Sequence, residues 1–250
     1  MEIELILLAL VGFVAGVINI MAGGGSLLTL PMLIFLGLPP SIANGTNRVA
    51  ILIQNVFSIS GFRSKGINPF PYSIYFGLSA TVGAIIGAQI AIDMPGDLFN
   101  KILAIIMIVV VTYLVINRKA STQDLVERIT GKHLWISIIL FFFIGIYGGF
   151  IQAGVGFLIL LILSGVNRFS LVKSNAIKVV VAFIYTIAAL AVFVMNDQVN
   201  WKYGLVLSIG NAAGGWFSSR WSVNKGDGMV KIFLVIMVSA MAIKLWFFTS

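Results

Sequence analysis

Six apolar runs of about 20 residues each dominate this chain, and that is the length a helix needs to cross the hydrocarbon core of a bilayer. They lie at about 42–62, 70–92, 98–116, 171–195, 200–221 and 229–248. In lipid, only helices and closed barrels satisfy the backbone polar groups. A barrel would read as alternating segments of about 10 residues, and these runs are continuous. The chain is 60% hydrophobic and 10% charged, too apolar to cover a soluble domain with polar surface. An all-α integral membrane protein is therefore expected.

Four shorter runs lie at about 5–21, 26–38, 134–151 and 157–166. Glycine-rich breaks join them in pairs, Gly23-Gly24-Gly25 in the first and Gly154-Val155-Gly156 in the second. Short paired apolar segments with such breaks point to a transporter binding site. The single polar linker, 117–133, divides the chain into a first repeat at 1–116 and a second at 134–250. Gly12, Gly16 and Asn19 match Gly145, Gly149 and Gln152 at a constant offset. Ser79, Gly83 and Gly87 match Gly210, Gly214 and Ser218, Asn44 meets Asn175, and Asn47 meets Lys178 at a second constant offset. Each half reads as a short, glycine-broken, re-entrant helix pair followed by three long transmembrane helices.

Basic residues set orientation, because cytoplasmic loops are enriched in them. Arg63, Lys65, Arg118, Lys119, Arg128, Lys132, Arg168, Lys173, Arg220, Lys225 and Lys231 fall on one side, which should be cytoplasmic. Only Lys101 and Lys202 fall on the other. With re-entrant pairs, the two halves are inverted and both termini face outward. If each pair instead formed one broken crossing, the halves would be parallel and the loops would sort less cleanly by charge. The N-terminal Met-Glu-Ile-Glu carries no positive charge, so the first helix reads as mature protein rather than a signal peptide.

Two motifs carry the chemistry. Asn19-Ile-Met-Ala-Gly-Gly-Gly-Ser26 places three glycines where a helix interior would pay roughly 1 kcal/mol for each. A turn there frees N–H groups at a helix N-terminus, with Ser26 as a candidate N-cap, and such an end receives anions. The plain alternative is close helix packing without a ligand. The second motif, Asn44-Gly45-Thr46-Asn47-Arg48, opens a long apolar helix, and Asn175 and Lys178 are its counterpart. Arg48 enters its helix by on the order of 10 Å, with no carboxylate near it in sequence; the alternative is that it snorkels to the interface.

All eight carboxylates fall in termini or loops, so a buried proton relay or acidic ring is not visible. Cysteine is absent and His133 is the only histidine, which excludes thiolate and histidine-cluster metal sites. No cofactor is expected. The basic residues are scattered at run ends, so the net charge of +8 does not imply nucleic acid. The Gly-xxx-Gly pairs read as helix packing. Trp135, Trp201, Trp221 and Trp246 lie near helix ends as an interfacial belt would, while Trp216 is deeper, in core packing or lining a cavity.

The stretch from Gly12 to Pro31, with Asn19 and Gly23 to Ser26, followed by Leu36-Gly-Leu-Pro-Pro-Ser-Ile-Ala-Asn44-Gly-Thr-Asn47-Arg48, resembles the TauE/SafE sulfite exporter family. The second half resembles that family's second repeat more loosely. The resemblance implies a membrane transporter for sulfite, sulfonates or related organic anions. By resemblance, Asn19, Gly23, Gly24, Gly25, Asn44, Thr46, Asn47 and Arg48 are candidate substrate contacts, matched in the second half by Gln152, Gly154, Gly156, Asn175 and Lys178; Ser26 and Gly45 lie within the same motifs. The expected function is a secondary transporter moving a small anion across the cytoplasmic membrane by alternating access, and the alternative is an anion channel. An enzyme is not expected. The expected partners are the anion, the lipid bilayer and a coupling ion, proton or sodium, with a homodimer left open.

Overall fold

The computed structural model describes residues 2–116 and 127–223. The expected helix at 229–248 and most of the linker lie outside the described residues, as do Lys225, Lys231 and Trp246. Among the described residues every regular element is a helix. In chain order these are α1 (Glu2–Met21), α2 (Ser26–Phe35), α3 (Pro40–Arg63), α4 (Tyr72–Ile92), α5 (Gly96–Ile116), α6 (Gly131–Phe150), α7 (Val155–Gly165) and α8 (Leu171–Met195). A ninth, α9, covers 201–223.

One expectation needs correction. The pairs are not short with short. α1 and α6 have 20 residues each, about 30 Å and enough to span. α2 and α7 have only 10 and 11, about half a bilayer. The sequence hid this because Glu2, Glu4, Lys132 and His133 lie outside the apolar runs yet continue the first turn of each long helix. The interior glycines also stay helical, because neighbouring backbone fills the space their side chains leave.

That neighbour contact organises the bundle. A Cβ at Gly83 or Gly87 of α4 would meet the carbonyls of Phe142 or Ile146 on α6, and one at Gly145 or Gly149 of α6 would meet those of Ala80 or Ala84 on α4. α1 and α9 interlock the same way: Gly12 and Gly16 face the Leu207 and Asn211 carbonyls, and Gly210 and Gly214 face those of Ala9 and Phe13. Small residues let membrane helices approach until backbone meets backbone. Gly87→Val is therefore expected to destabilise by at least the 1–3 kcal/mol typical of overpacking, read as a lower melting temperature in detergent.

Phe76 of α4 stacks on Phe141 of α6 with centroids 4.6 Å apart, inside a cluster that α4, α6, α7 and α8 share. Outward, α4 presents Ile74, Leu78, Val82, Ile86 and Ile90, one apolar stripe at four-residue spacing, as a lipid-facing helix requires. α1, α4, α6 and α8 are long and apolar enough to cross a membrane. α3 is equally long, at 24 residues, but turns Asn44, Thr46, Asn47, Arg48, Gln54 and Asn55 inward, all buried. Its polar residues face protein rather than lipid, as intramembrane polar groups generally do.

Candidate functional site

The two glycine breaks meet. A Cβ on Gly23 would collide with Gly156, and one on Gly156 with the backbone of Gly23. The turns also need unusual backbone: Gly23 has φ +85, Gly154 has φ +73 as the residue capping α7, and Gln152 reaches φ +58 despite its side chain. A non-glycine residue held there stores strain, and such strain clusters at functional sites. Gly25, not Ser26, occupies the N-cap of α2; Ser26 is the first helical residue. Neither α2 nor α7 has a side-chain cap; Leu27 N and Leu28 N bond the Gly24 and Gly25 carbonyls and Phe157 N bonds the Gly154 carbonyl, which leaves the N–H groups of Ser26 and Gly156 facing a ligand. Gly156→Ala is expected to push the breaks apart and cut transport at least tenfold, measured as flux in proteoliposomes.

A cavity of about 20 Å³ lies beside these ends, above the 10–15 Å³ that a single water needs. Asn19, Ser26, Gln152, Gly156 and Lys178 line it, joined by Asn55 and Tyr185 and by the apolar Ile51, Val155, Ile159, Val179 and Ala182. Three of its polar atoms have no hydrogen-bond partner: Asn55 Nδ2, Gln152 Oε1 and Tyr185 OH. All three residues are at most 2% exposed. The Tyr185 hydroxyl sits beside Gln152 and Thr186 but outside hydrogen-bonding geometry, while Gln152 Nε2 donates to Thr186 Oγ1 at 3.2 Å. Unsatisfied buried polar atoms are expensive, so a group of them around a cavity marks a place for a polar ligand.

Among the described residues, Arg48 and Lys178 are buried and do not snorkel. Lys178 Nζ donates to the Asn19 carbonyl at 2.7 Å, the Ile20 carbonyl at 2.9 Å and Asn175 Oδ1 at 2.6 Å. Arg48 Nη1 donates to the Gly148 carbonyl at 3.0 Å, and Nη2 to the Gly149 carbonyl and Asn44 Oδ1. Asn44 Nδ2 reaches the Phe150 carbonyl at 2.7 Å. Each cation thus caps the C-terminus of the broken helix in the opposite half, where the helix dipole is negative; of the four carbonyls, that of Asn19 also accepts from Gly23 N at 2.9 Å. The guanidinium also lies 4.7 Å from the Phe193 ring centroid. Only Lys178 borders the cavity.

The other expected residues support the site without lining it. Asn47 ties α3 to α2, donating to Ser26 Oγ at 3.2 Å and accepting from Thr29 Oγ1 at 2.6 Å. Thr46 Oγ1 accepts from Asn200 N at 2.9 Å, and Gly45 packs under the Gln198 carbonyl. Gly24 lies against the Phe157 ring and Gly25 against the Ala15 carbonyl and Asn19. Asn55 and Tyr185 escaped the sequence reading. Their signal was the polar pair Gln54-Asn55 inside an apolar run, which falls opposite Tyr185-Thr186 at the offset relating Asn44 to Asn175. Among the described residues no group of His, Cys, Asp or Glu is placed to hold a metal.

Residues 8–245 match the family model described as Sulfite exporter TauE/SafE. The chain is 29% identical over 233 residues to a probable membrane transporter protein, ORF9, of a Sinorhizobium species, covering 93% of this chain and 88% of that one. It is 29% identical over 250 residues to a probable membrane transporter protein of Haemophilus influenzae, covering 98% and 96%. It is 28% identical over 236 residues to the probable membrane transporter protein YfcA of Escherichia coli, covering 94% and 87%. No solved structure matches it. With its apolar spanning helices and a family match over nearly its whole length, this chain is a multi-pass membrane transporter and belongs to the sulfite exporter TauE/SafE family.

Proposed function

We propose that the chain is a secondary transporter that carries a small anion, sulfite or a related sulfonate or organic anion, across the cytoplasmic membrane by alternating access. The observation that carries this reading is the cavity itself: two uncapped half-helix N-termini converge beside Lys178, and none of the residues lining it is a carboxylate. Backbone N–H groups, amides and one ammonium favour an anion over a cation.

Inversion of the halves is supported by reciprocal packing. α1 interlocks with α9 as α6 does with α4. Lys178 of the second half caps α1, and Arg48 of the first caps α6. With the halves inverted, Arg63, Lys65 and Arg220 face the cytoplasm and the N-terminus lies outside. The 117–133 linker would then be cytoplasmic. Alternating access moves one half against the other around a fixed site, and here that site lies where the breaks touch.

The test is flux of labelled sulfite in proteoliposomes. Saturating flux that a pH or sodium gradient drives supports a carrier and names the coupling ion. Ohmic current would assign a channel instead, and no flux of sulfite, sulfonates or small carboxylates would sink the anion reading.

A further inference from the structure

The two halves share their packing, but not the chemistry of their seams. α4 presents Ala80, Ala84, Ala88 and Ala91 to the interior, and α8 packs against it with Tyr185, Ala189 and Val192 in one apolar cluster. At the offset relating the repeats, α9 carries Asn211, Gly215, Ser219 and Ser222, and α3 carries Gln54, Ser58 and Gly61. These two helices face each other along that line. A Cβ on Gly61 would meet Ser219 Oγ, and one on Gly215 would meet Ser58 Oγ and Gln54. One seam is apolar apart from the Tyr185 hydroxyl at the cavity, and its counterpart is hydroxyl and amide.

The polar seam starts at the cavity. Asn19, which lines it, donates to Gln54 Oε1 at 3.2 Å, and Gln54 Nε2 points at the Gly16 carbonyl. A Cβ on Gly16 would meet Asn211, whose side-chain Nδ2 and Oδ1 both lack a partner though the residue is fully buried. Small-residue packing alone does not account for that amide: its counterpart Ala80 serves the same helix contact with no polar atom at all. Further along, the hydroxyls are parked on their own helices, Ser58 on the Gln54 carbonyl at 2.8 Å, Ser219 on Trp216 at 2.9 Å and Ser222 on Ser219 at 3.0 Å. Such bonds satisfy a closed interface, yet each hydroxyl can rotate toward a passing anion. The seam ends beside Arg63 and Arg220.

We propose that the anion passes between the cavity and the Arg63/Arg220 side along the seam between α3 and α9, and that the alanine-lined α4·α8 seam opens less or not at all to water. This rests on the cavity being an anion site. It adds the route, which the cavity by itself does not specify. The seam is closed in this structure, so the route requires α3 and α9 to separate, while the interlocked α4 and α6 move as one.

The chain contains no cysteine, so single-cysteine variants report one position each. Full-length Ser58→Cys and Ser219→Cys, with Ala84→Cys and Ala88→Cys as controls, are reconstituted and shown to carry sulfite. They are then exposed to an anionic, membrane-impermeant methanethiosulfonate from each side separately. The serine positions should react at least tenfold faster than the alanine positions, only from the Arg63/Arg220 side, and more slowly with an excess of a sulfonate, which unlike sulfite does not itself attack the thiosulfonate. Equal rates in both seams, or unreactive serine positions in protein that still carries sulfite, would overturn the route and leave the anion site standing. A parent protein that binds and carries no small anion would count against the anion site instead. Asn211→Leu, of similar volume, should lower the maximal flux about tenfold with the half-saturating concentration unchanged. A rise in that concentration with flux intact would place Asn211 in binding and not in passage.

Discussion

Lys178→Met is expected to lower sulfite flux at least 100-fold and to remove the thermal stabilisation that a bound anion confers. Lys178 is the one formally charged side chain bordering the cavity. An anion about 4 Å from its ammonium gains about 4 kcal/mol at the effective dielectric of such sites, close to a thousandfold in affinity. Methionine keeps the length and apolar stem but donates nothing. The Ile20 carbonyl and Asn175 Oδ1 would then lose the donor they share with the Asn19 carbonyl, at a cost of about 1–3 kcal/mol for each group left unsatisfied, while the Asn19 carbonyl keeps the Gly23 N–H. The variant should therefore also melt lower. Two measurements separate the effects, the melting temperature without ligand and its rise with added sulfite. A variant that melts lower yet keeps the full ligand-dependent rise would show that Lys178 only holds the end of α1.

Arg48→Gln should do the opposite. The residue does not line the cavity, and its bonds run to the end of α6 and to Asn44. Two charge-assisted bonds to carbonyls at about 1.5–3 kcal/mol each put the loss near 3–6 kcal/mol. For a chain of this size that lowers the melting temperature by about 6–24 °C. Sulfite affinity in the folded fraction should stay within about threefold of the parent. Arg48→Lys should recover little, because an ammonium does not span two carbonyls as a planar guanidinium fork does. An unchanged melting temperature with binding lost would mean that Arg48 touches the substrate, and the division of labour between the two cations would be wrong.

That division was not legible in the chain. In Asn44-Gly-Thr-Asn-Arg48 and Asn175-Ala-Ile-Lys178 a cation follows an asparagine within one helical turn, and both invited the role of anion ligand. Proximity in space separates them. Lys178 caps the end of α1 at the rim of the cavity, while Arg48 is turned to the end of α6 and stacked over Phe193. The breaks were legible, because consecutive glycines in an apolar helix are costly and need a reason. Their mutual contact was not, since nothing local says that Gly23 rests on Gly156. Asn55 and Tyr185 could have been found from the polar pair inside a long apolar run. The true lengths of α1 and α6 were obscured because a charged residue in the first turn of a helix looks the same in sequence as one in a loop.

The sequence by itself determined that this chain lives in a bilayer as helices, where the chain breaks and which residues pair the two halves, because these follow from hydropathy, residue length and backbone preference, all of them local. Only the tertiary structure decided which cation faces the cavity and which seam is polar. Those outcomes depend on helix faces meeting across separations of a hundred residues or more, as when Arg48 finds the carbonyls of Gly148 and Gly149, and no local preference encodes such a meeting.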